Sequence, residues 1–536
     1  MNNYDKYVKI NNRCLNKAIK EGLRPMYEFF DPNRDGLPFF GNSMSNDETF
    51  GNSHDTSFSI SHIPGRWLNA ILNAKSVLGI EPDMKAIENL RKWTYRSLEE
   101  VNIRFPACIN IDTMVVEKST DLHNLREIMH ALYSLITFQG ETKAYNLAMD
   151  IISAVDQYFD YNNCVFREGA YIADTHAKIK RWFIPEENLP FPVTFGRYIG
   201  PLVKLYNTTG SQEALRQALL LKEACFKKIL DPQGNFNPKI FGAHTHSTTS
   251  MISSLAQLGD AVNDLDILIR VKNFLENGLR MIALDFGWCI ENYYRKDMVG
   301  EINNTSDIME TCLILGKHGF EGCYSRAEQI LRGHFLPSQL IDTGFIPEYL
   351  DGPEEKRALA SRSKGAFGFP CPFGHEDHPG SNISFNWDIV GGGVGGLCEA
   401  YRHKVTRKGD LLSINLLFDH EDKYLSFKSP YGRNCVASFT LKVPGMARIR
   451  IPNNCTIDLG KVIGCSSYIN GEWLYLTETE LKREVLLPFN MKQDDKEYLF
   501  RDKLLGLRWE GEEVIGATSA GKRLCFFKEL NLPQNI

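Results

Sequence analysis

The strongest constraint on this chain is a helix, glycine, helix unit that recurs along its first three quarters. Leu125, Ile128, Met129, Leu132, Leu135 and Ile136 follow the 3, 1, 3, 3, 1 spacing of one buried helical face, and Gly140 stops that helix. A second helical pattern runs from Glu141 through Ala144, Ala148, Ile151 and Ile152 to about Phe159. A shift of 70 residues places Leu202 on Leu132, Leu205 on Leu135, Gly210 on Gly140, Ala214 on Ala144 and Ala218 on Ala148. Similar units stand at Trp67–Leu78–Gly79, Met251–Leu255–Gly259 and Ile308–Leu315–Gly316, which makes five hairpins between about residues 60 and 335. Helical patterns near Cys14–Phe29 and Leu397–His403 supply a sixth pair by bringing the two ends of the region together. Each hairpin buries its apolar face only against its neighbours, so the expectation is a mainly α chain built on an (α/α)6 toroid. An open solenoid is the alternative, but unequal loops rich in Gly, Pro and His suit a closed toroid with a loop-built pocket better.

After about residue 404 the period changes. LLSINLLF, YLSFKS, VASFTLKV, ARIRIP, EWLYLT and REVLLPF are short alternating or β-rich runs separated by Gly, Pro and Asn turns. They predict a C-terminal antiparallel β-sandwich, with the boundary near Thr406–Asp410, so the chain divides into an α/α domain at 1–404 and a β domain at 405–536.

Charge narrows the partners. The 61 Lys and Arg residues against 66 Asp and Glu leave a net charge of −5, which disfavours nucleic acid and anionic lipid. No run reaches the roughly 18 apolar residues of a membrane span. The 13 cysteines are scattered, odd in number and without a CxxC pair, and the opening MNNYDKYVKINNRC lacks a signal-like apolar stretch. A cytoplasmic protein with reduced thiols is expected.

Several motifs carry chemistry. GGGVGG at 391–396 has the spacing of a dinucleotide fingerprint, after a strand-like NISFNWDIV and with Asp410 near the acidic position, but it lies between helical hairpins and a β region. We read it as a tight loop beside a pocket. HTH at 244–246 opens a hairpin and is suited to sugar hydroxyls, to a metal, or to a capping turn built by Thr245 and Ser247. GHEDHPG at 374–380 reads as a solvated polar loop. Glu310 and Cys312 in METC stand at the expected beginning of a helix, with Glu291 and Glu301 upstream and Asp388 downstream. Carboxylates beside Trp288 and Trp387 suit glycosidic chemistry, where sugar faces stack on rings and two carboxyls share the acid and base tasks.

Taken in order, DLHNLREIMHALYSLITFQG, LVKLYNTTGSQEAL, GAHTHSTTSMISSLAQLGD, NNTSDIMETCLILG, SFNWDIVGGG, VASFTLKVPGMARIRIP and NGEWLYLTETE resemble glycoside hydrolase family 127, the β-L-arabinofuranosidase-like group, over most of the chain. The resemblance implies an α/α-barrel followed by β-sandwich material and a sugar-cleaving activity. In that family the Glu and Cys of ETC and a later adjacent cysteine pair hold zinc, and one thiolate is the nucleophile. Glu310 and Cys312 match the first half, but Gly391 and Gly392 stand where the pair belongs, with Cys371 and Cys398 only nearby. The expectation is therefore no cofactor and no metal, zinc being disfavoured, and carboxylate chemistry instead. The resemblance further implies a sugar contact at His244 or His246, a carboxylate at Glu127 in place of a family histidine, and a general acid at Glu291 or Glu301. Asp388 is assigned as base, Glu310 as the residue orienting substrate or water, and Trp387 as a sugar contact. The expected function is a glycoside hydrolase acting on a short oligosaccharide, its oligomeric state left open. A sugar lyase or epimerase on the same scaffold is the enzymatic alternative, and a non-catalytic sugar-binding protein the other.

Overall fold

The computed structural model describes residues 14–44, 49–181, 190–377, 383–518 and 523–527. Residues 1–13 of the opening segment and residues 378–380 of GHEDHPG, both read above from sequence, lie outside the described residues.

Twelve helices build the toroid. We number them α1 (Leu15–Glu28), α2 (Ile63–Leu78), α3 (Met84–Glu99), α4 (Leu125–Gln139), α5 (Thr142–Tyr158), α6 (Phe195–Thr209), α7 (Gln212–Lys228), α8 (Thr245–Val262), α9 (Leu265–Glu276), α10 (Ile302–Lys317), α11 (Cys323–Ile330) and α12 (Trp387–Lys404). Helices α2, α4, α6, α8, α10 and α12 pack each against the next and the last against the first, forming the inner ring. Helices α3, α5, α7, α9 and α11 return along the outside, each against its own predecessor, and α1 pairs with α12 to close the sixth hairpin, as the sequence pattern predicts. The (α/α)6 arrangement and the β-rich C-terminal region are both as expected.

The turns differ in detail. Gly79, Gly140 and Gly210 end α2, α4 and α6 in the left-handed conformation at φ 64°, 68° and 73°, which costs glycine nothing. Gly259 and Gly316, expected as stops, instead lie inside α8 and α10. A Cβ at Gly259 would meet the Leu268 side chain at 2.9 Å and one at Gly316 the Tyr324 ring at 2.8 Å, so these glycines let the outer helix close in. Asn263 at φ 52° makes the turn after α8.

GGGVGG is not a loop. It lies within α12, which begins at Trp387 where a strand-like run was expected. A Cβ at Gly392 would fall 1.7 Å from Asn303 Oδ1 on α10, and one at Gly396 would fall 2.1 Å from Ser306 Oγ. The glycines are there for close helix packing, a need that a fingerprint pattern cannot distinguish from phosphate binding.

The β region is divided between two cores. One sheet runs in the order 405–408, 411–414, 446–450, 473–477, 466–470, with a parallel pair between 411–414 and 446–450. A second sheet orders 420–421, 425–428, 436–441, 484–491 and 455–457. Between them lie Leu412, Ile414, Phe427, Phe439, Ile449, Leu474, Val485 and Leu487, the sandwich core. The antiparallel sheet 493–500, 503–510, 513–517 instead sends Phe500, Leu505, Leu507, Trp509 and Val514 into the core of the toroid. The expected single sandwich over 405–536 is thus a sandwich followed by a sheet clasped to the ring. Fully buried Arg450 fixes the junction, reaching Glu328 of α11 and Glu512 in the turn between the last two strands of the third sheet, where its Nη2 lies 2.8 Å from Glu512 Oε2.

Candidate active site at the mouth of the ring

The six inner helices start at one end of the ring, and contacts link those starts in a circuit. His62, just before α2, stacks on His123, just before α4, with ring centroids 5.6 Å apart. The His123 ring lies 5.5 Å from that of His244, the residue preceding α8. His123 also sits against Arg197 in the first turn of α6, whose Nη1 lies 2.8 Å from its Nε2. Glu301, preceding α10, faces both His244 (3.7 Å) and His246 (3.3 Å). Asp388 in the first turn of α12 lies 3.5 Å from His62 Nε2 and completes the circuit. Six helix N-termini pointing at one mouth carry partial positive charge, which favours carboxylates there.

Asn303 ties two of those carboxylates together. Its Nδ2 donates to Glu301 Oε1 at 2.7 Å and to Asp388 Oδ2 at 3.5 Å. Glu291 joins from the preceding loop, where the backbone N–H of Thr245 donates to its carbonyl at 3.2 Å. Burial raises the Glu291 carboxyl above its ordinary value, even though His244 and Arg295 oppose the shift, Arg295 Nη1 lying 3.2 Å from Oε2. The group therefore holds a proton more firmly than a surface glutamate.

Below the mouth lies a layer of buried charge. Glu127 is fully buried among Arg66, Arg126 and Arg197. Burial alone would raise its pKa, but Arg197, His62, Arg66 and Arg126 hold it well below the usual carboxylate range. His246 is kept well below its ordinary value by burial and by Arg66, Arg197 and Arg126 nearby. Asp307 is pushed up to about 7 by burial, against the pull of Arg126 and Arg66. A narrow cavity of about 40 Å³ continues down the ring axis, lined among others by Arg126, Lys204, Asp307, Glu310, Gly392 and Glu399.

The residues expected from sequence divide into two sets. His244, His246, Glu291, Glu301 and Asp388 meet at the mouth. Glu310 does not, for it sits nine residues beyond Glu301, about 13 Å along α10, where its Oε2 accepts from Ser253 Oγ at 2.6 Å. It is mid-helix, not at a helix start as expected. Glu127 lies within the arginine layer, with no surface exposed for a ligand. Trp387 is fully buried, stacked on Phe29 at 3.9 Å with its indole N–H on Asn52, so it offers no face to a sugar. Trp288 is likewise buried, donating to the Pro370 carbonyl at 3.0 Å. Thr245 and Ser247 build no capping turn: Ser247 Oγ pairs with His244 Nδ1 at 2.8 Å, and Thr245 Oγ1 donates to the Glu291 carbonyl at 3.0 Å.

The zinc centre that the family resemblance implies does not fit these residues. Cys312 is fully buried on the side of α10 that faces Cys323, away from Glu310, and Gly391 and Gly392 have no side chains to ligate. Sequence reasoning missed His62, Arg66, His123, Arg197, Asn303 and Asp307. Their shared signal is position, since each lies just before or within the first two turns of an inner helix.

No protein-family model matches the chain, and no curated protein sequence does. Its fold is similar to that of a GH127 β-L-arabinofuranosidase from Geobacillus stearothermophilus T6, with a TM-score of 0.55 and 11% identity over 95% of this chain and 84% of that one. A second GH127 β-arabinofuranosidase gives a TM-score of 0.55 at 12% identity, covering 95% of this chain and 82% of that one. A sugar epimerase from a ruminal bacterium gives 0.50 at 12% identity, covering 72% and 97%. The fold is thus that of the group the sequence resembles.

Proposed function

We propose that the protein is a carbohydrate-active enzyme, a glycoside hydrolase that cleaves a short oligosaccharide at the mouth of the ring. The observation that carries this reading is the meeting of three carboxylates, from residues 291, 301 and 388, beside His62, His244 and His246 at the mouth where the inner helices start. Glycosidic cleavage needs one carboxyl to protonate the leaving oxygen and another to act from the opposite side. Glu291, its proton held by burial, is the acid. Asp388, in the first turn of α12 and beside His62, is the base or nucleophile. Glu301, clasped by Asn303 and facing two histidines, orients the site. A cytoplasmic place and the lack of a nucleic-acid or membrane partner belong to the same proposal, supported by the net charge of −5 and the scattered cysteines.

The test is turnover of short oligosaccharides by variants. Glu291→Gln and Asp388→Asn each lower it by about 100-fold or more, while Glu310→Gln stays within a few fold. Folded Glu291→Gln and Asp388→Asn proteins with near-parent turnover refute the assignment.

A second reading, sugar epimerisation, is favoured by the four clustered histidines, because imidazoles backed by carboxylates can take and return a proton at carbon. It predicts solvent deuterium in the recovered sugar and no new reducing ends.

A further inference from the structure

We infer that His244, His246 and Glu301 form a site for a first-row divalent metal ion of the zinc class. One donor atom from each lies within 4.8 Å of the other two. His246 Nδ1 is 3.3 Å from Glu301 Oε1 and His244 Nε2 is 3.7 Å from Glu301 Oε2. Both are longer than a typical N–H···O bond of about 2.9 Å. The 3.3 Å spacing is that of two ligands set about 2.0–2.1 Å from a tetrahedral ion, and the 3.7 Å spacing, to the other carboxylate oxygen, is within a few tenths of an ångström of it. The two imidazole planes are perpendicular, at 89°, so the rings do not stack on each other.

Each ligand also has the outer partner that metal-binding side chains use. His244 Nδ1 pairs with Ser247 Oγ at 2.8 Å, and Asn303 donates to Glu301 at 2.7 Å. His246 Nε2 lies 3.5 Å from Asp307 Oδ2. When the metal takes Nδ1, the ring proton resides on Nε2 and points to Asp307. Arg66, 3.2 Å from that nitrogen, has Glu127 Oε1 as its acceptor at the same distance. The scaffold is braced by β-bridges that pair His244 with Asn292 and Ile290 with Gly300. Two nitrogens and one carboxylate oxygen leave a fourth position for water or a sugar oxygen, the ligand count of a catalytic zinc site. This ligand set shares no residue with Glu310 and Cys312.

The site is tested on the tag-free full chain, stripped with chelator and titrated with Co2+ and then Zn2+. The expected result is a visible d–d band that saturates at one equivalent of Co2+ and is abolished by one equivalent of Zn2+. Glu301→Gln weakens Zn2+ binding at least tenfold, Asp307→Asn weakens it about 10- to 100-fold, and Glu310→Gln leaves it unchanged. Should Glu301→Gln lose its helical circular dichroism, His244→Gln reads the same ligand set. No band at one equivalent, or parent affinity in a folded ligand variant, overturns the inference. Binding is read without a sugar, so this result and the glycosidase test fail independently.

Discussion

Two glycines three residues apart on one helix separate close packing from mere helix weakness. Replacing either by alanine in a helix interior gains about 1 kcal/mol of intrinsic propensity. At Gly395 a Cβ meets nothing nearer than Asn69 Nδ2 at 3.9 Å, so the gain stands. At Gly392 the Cβ would fall 1.7 Å from Asn303 Oδ1, and Asn303 must move. Its 2.7 Å hydrogen bond to Glu301 then breaks, and a bond to a charged acceptor is worth about 1.5–3 kcal/mol. Overpacking strain adds about 1–3 kcal/mol. Gly392→Ala therefore destabilises by about 1.5–5 kcal/mol, opposite in sign to Gly395→Ala. Urea unfolding followed by helical circular dichroism measures both, with the parent in the same series. Gly392→Ala also loses turnover, because Asn303 no longer bridges Glu301 and Asp388. If both variants shift the midpoint in the same direction and by similar amounts, α12 does not press on Asn303 and the geometry assigned to the mouth is wrong.

Other outcomes follow from buried charge. Burial pushes the Asp121 carboxyl from its ordinary 3.8 up to about 6, so the folded state holds the proton more tightly and stability falls as pH rises between those values. Asp121→Asn keeps the acceptor for the His123 N–H, flattens that decline in pH-dependent unfolding, and at pH 7 recovers up to about 3 kcal/mol, less the cost of an unpaired amide. Arg450→Met leaves the buried carboxylates of Glu328 and Glu512 facing each other and costs about 3–5 kcal/mol, seen as a lower urea midpoint and faster proteolysis near the ring junction.

Much of the fold was legible because its signals are local. The 70-residue offset between Gly140 and Gly210 reports a repeated turn, and the turn is made by those residues. Gly259 and Gly392 misled for the opposite reason: a glycine needed for close approach looks in sequence like a glycine needed for a turn, and only the neighbour, Leu268 or Asn303, decides. The strands after Lys404 were recognisable by alternation, but alternation does not say that Leu505 and Trp509 face the ring while Phe427 and Phe439 face the sandwich. At the mouth, His244, Glu301 and Asp388 stood out as motif residues. His62 and Asn303 did not, since a lone polar residue at a helix start is common, and only closure of the ring brings 62, 303 and 388 together. Trp387 was misplaced because neighbours in a helix project about 100° apart, and the ring beside Asp388 turns away from the mouth into Phe29 and Asn52.

Hydrolysis at this mouth is read out by product analysis in water enriched in heavy oxygen. A panel of short oligosaccharides is incubated with the parent chain and with Asp388→Asn, and the products are read by mass spectrometry. The parent is expected to yield new reducing ends that carry one heavy oxygen per bond cleaved, and the folded variant to lose that signal. Sugars that bind and return unchanged, or cleavage by Asp388→Asn at the parent rate, would contradict hydrolysis at this mouth.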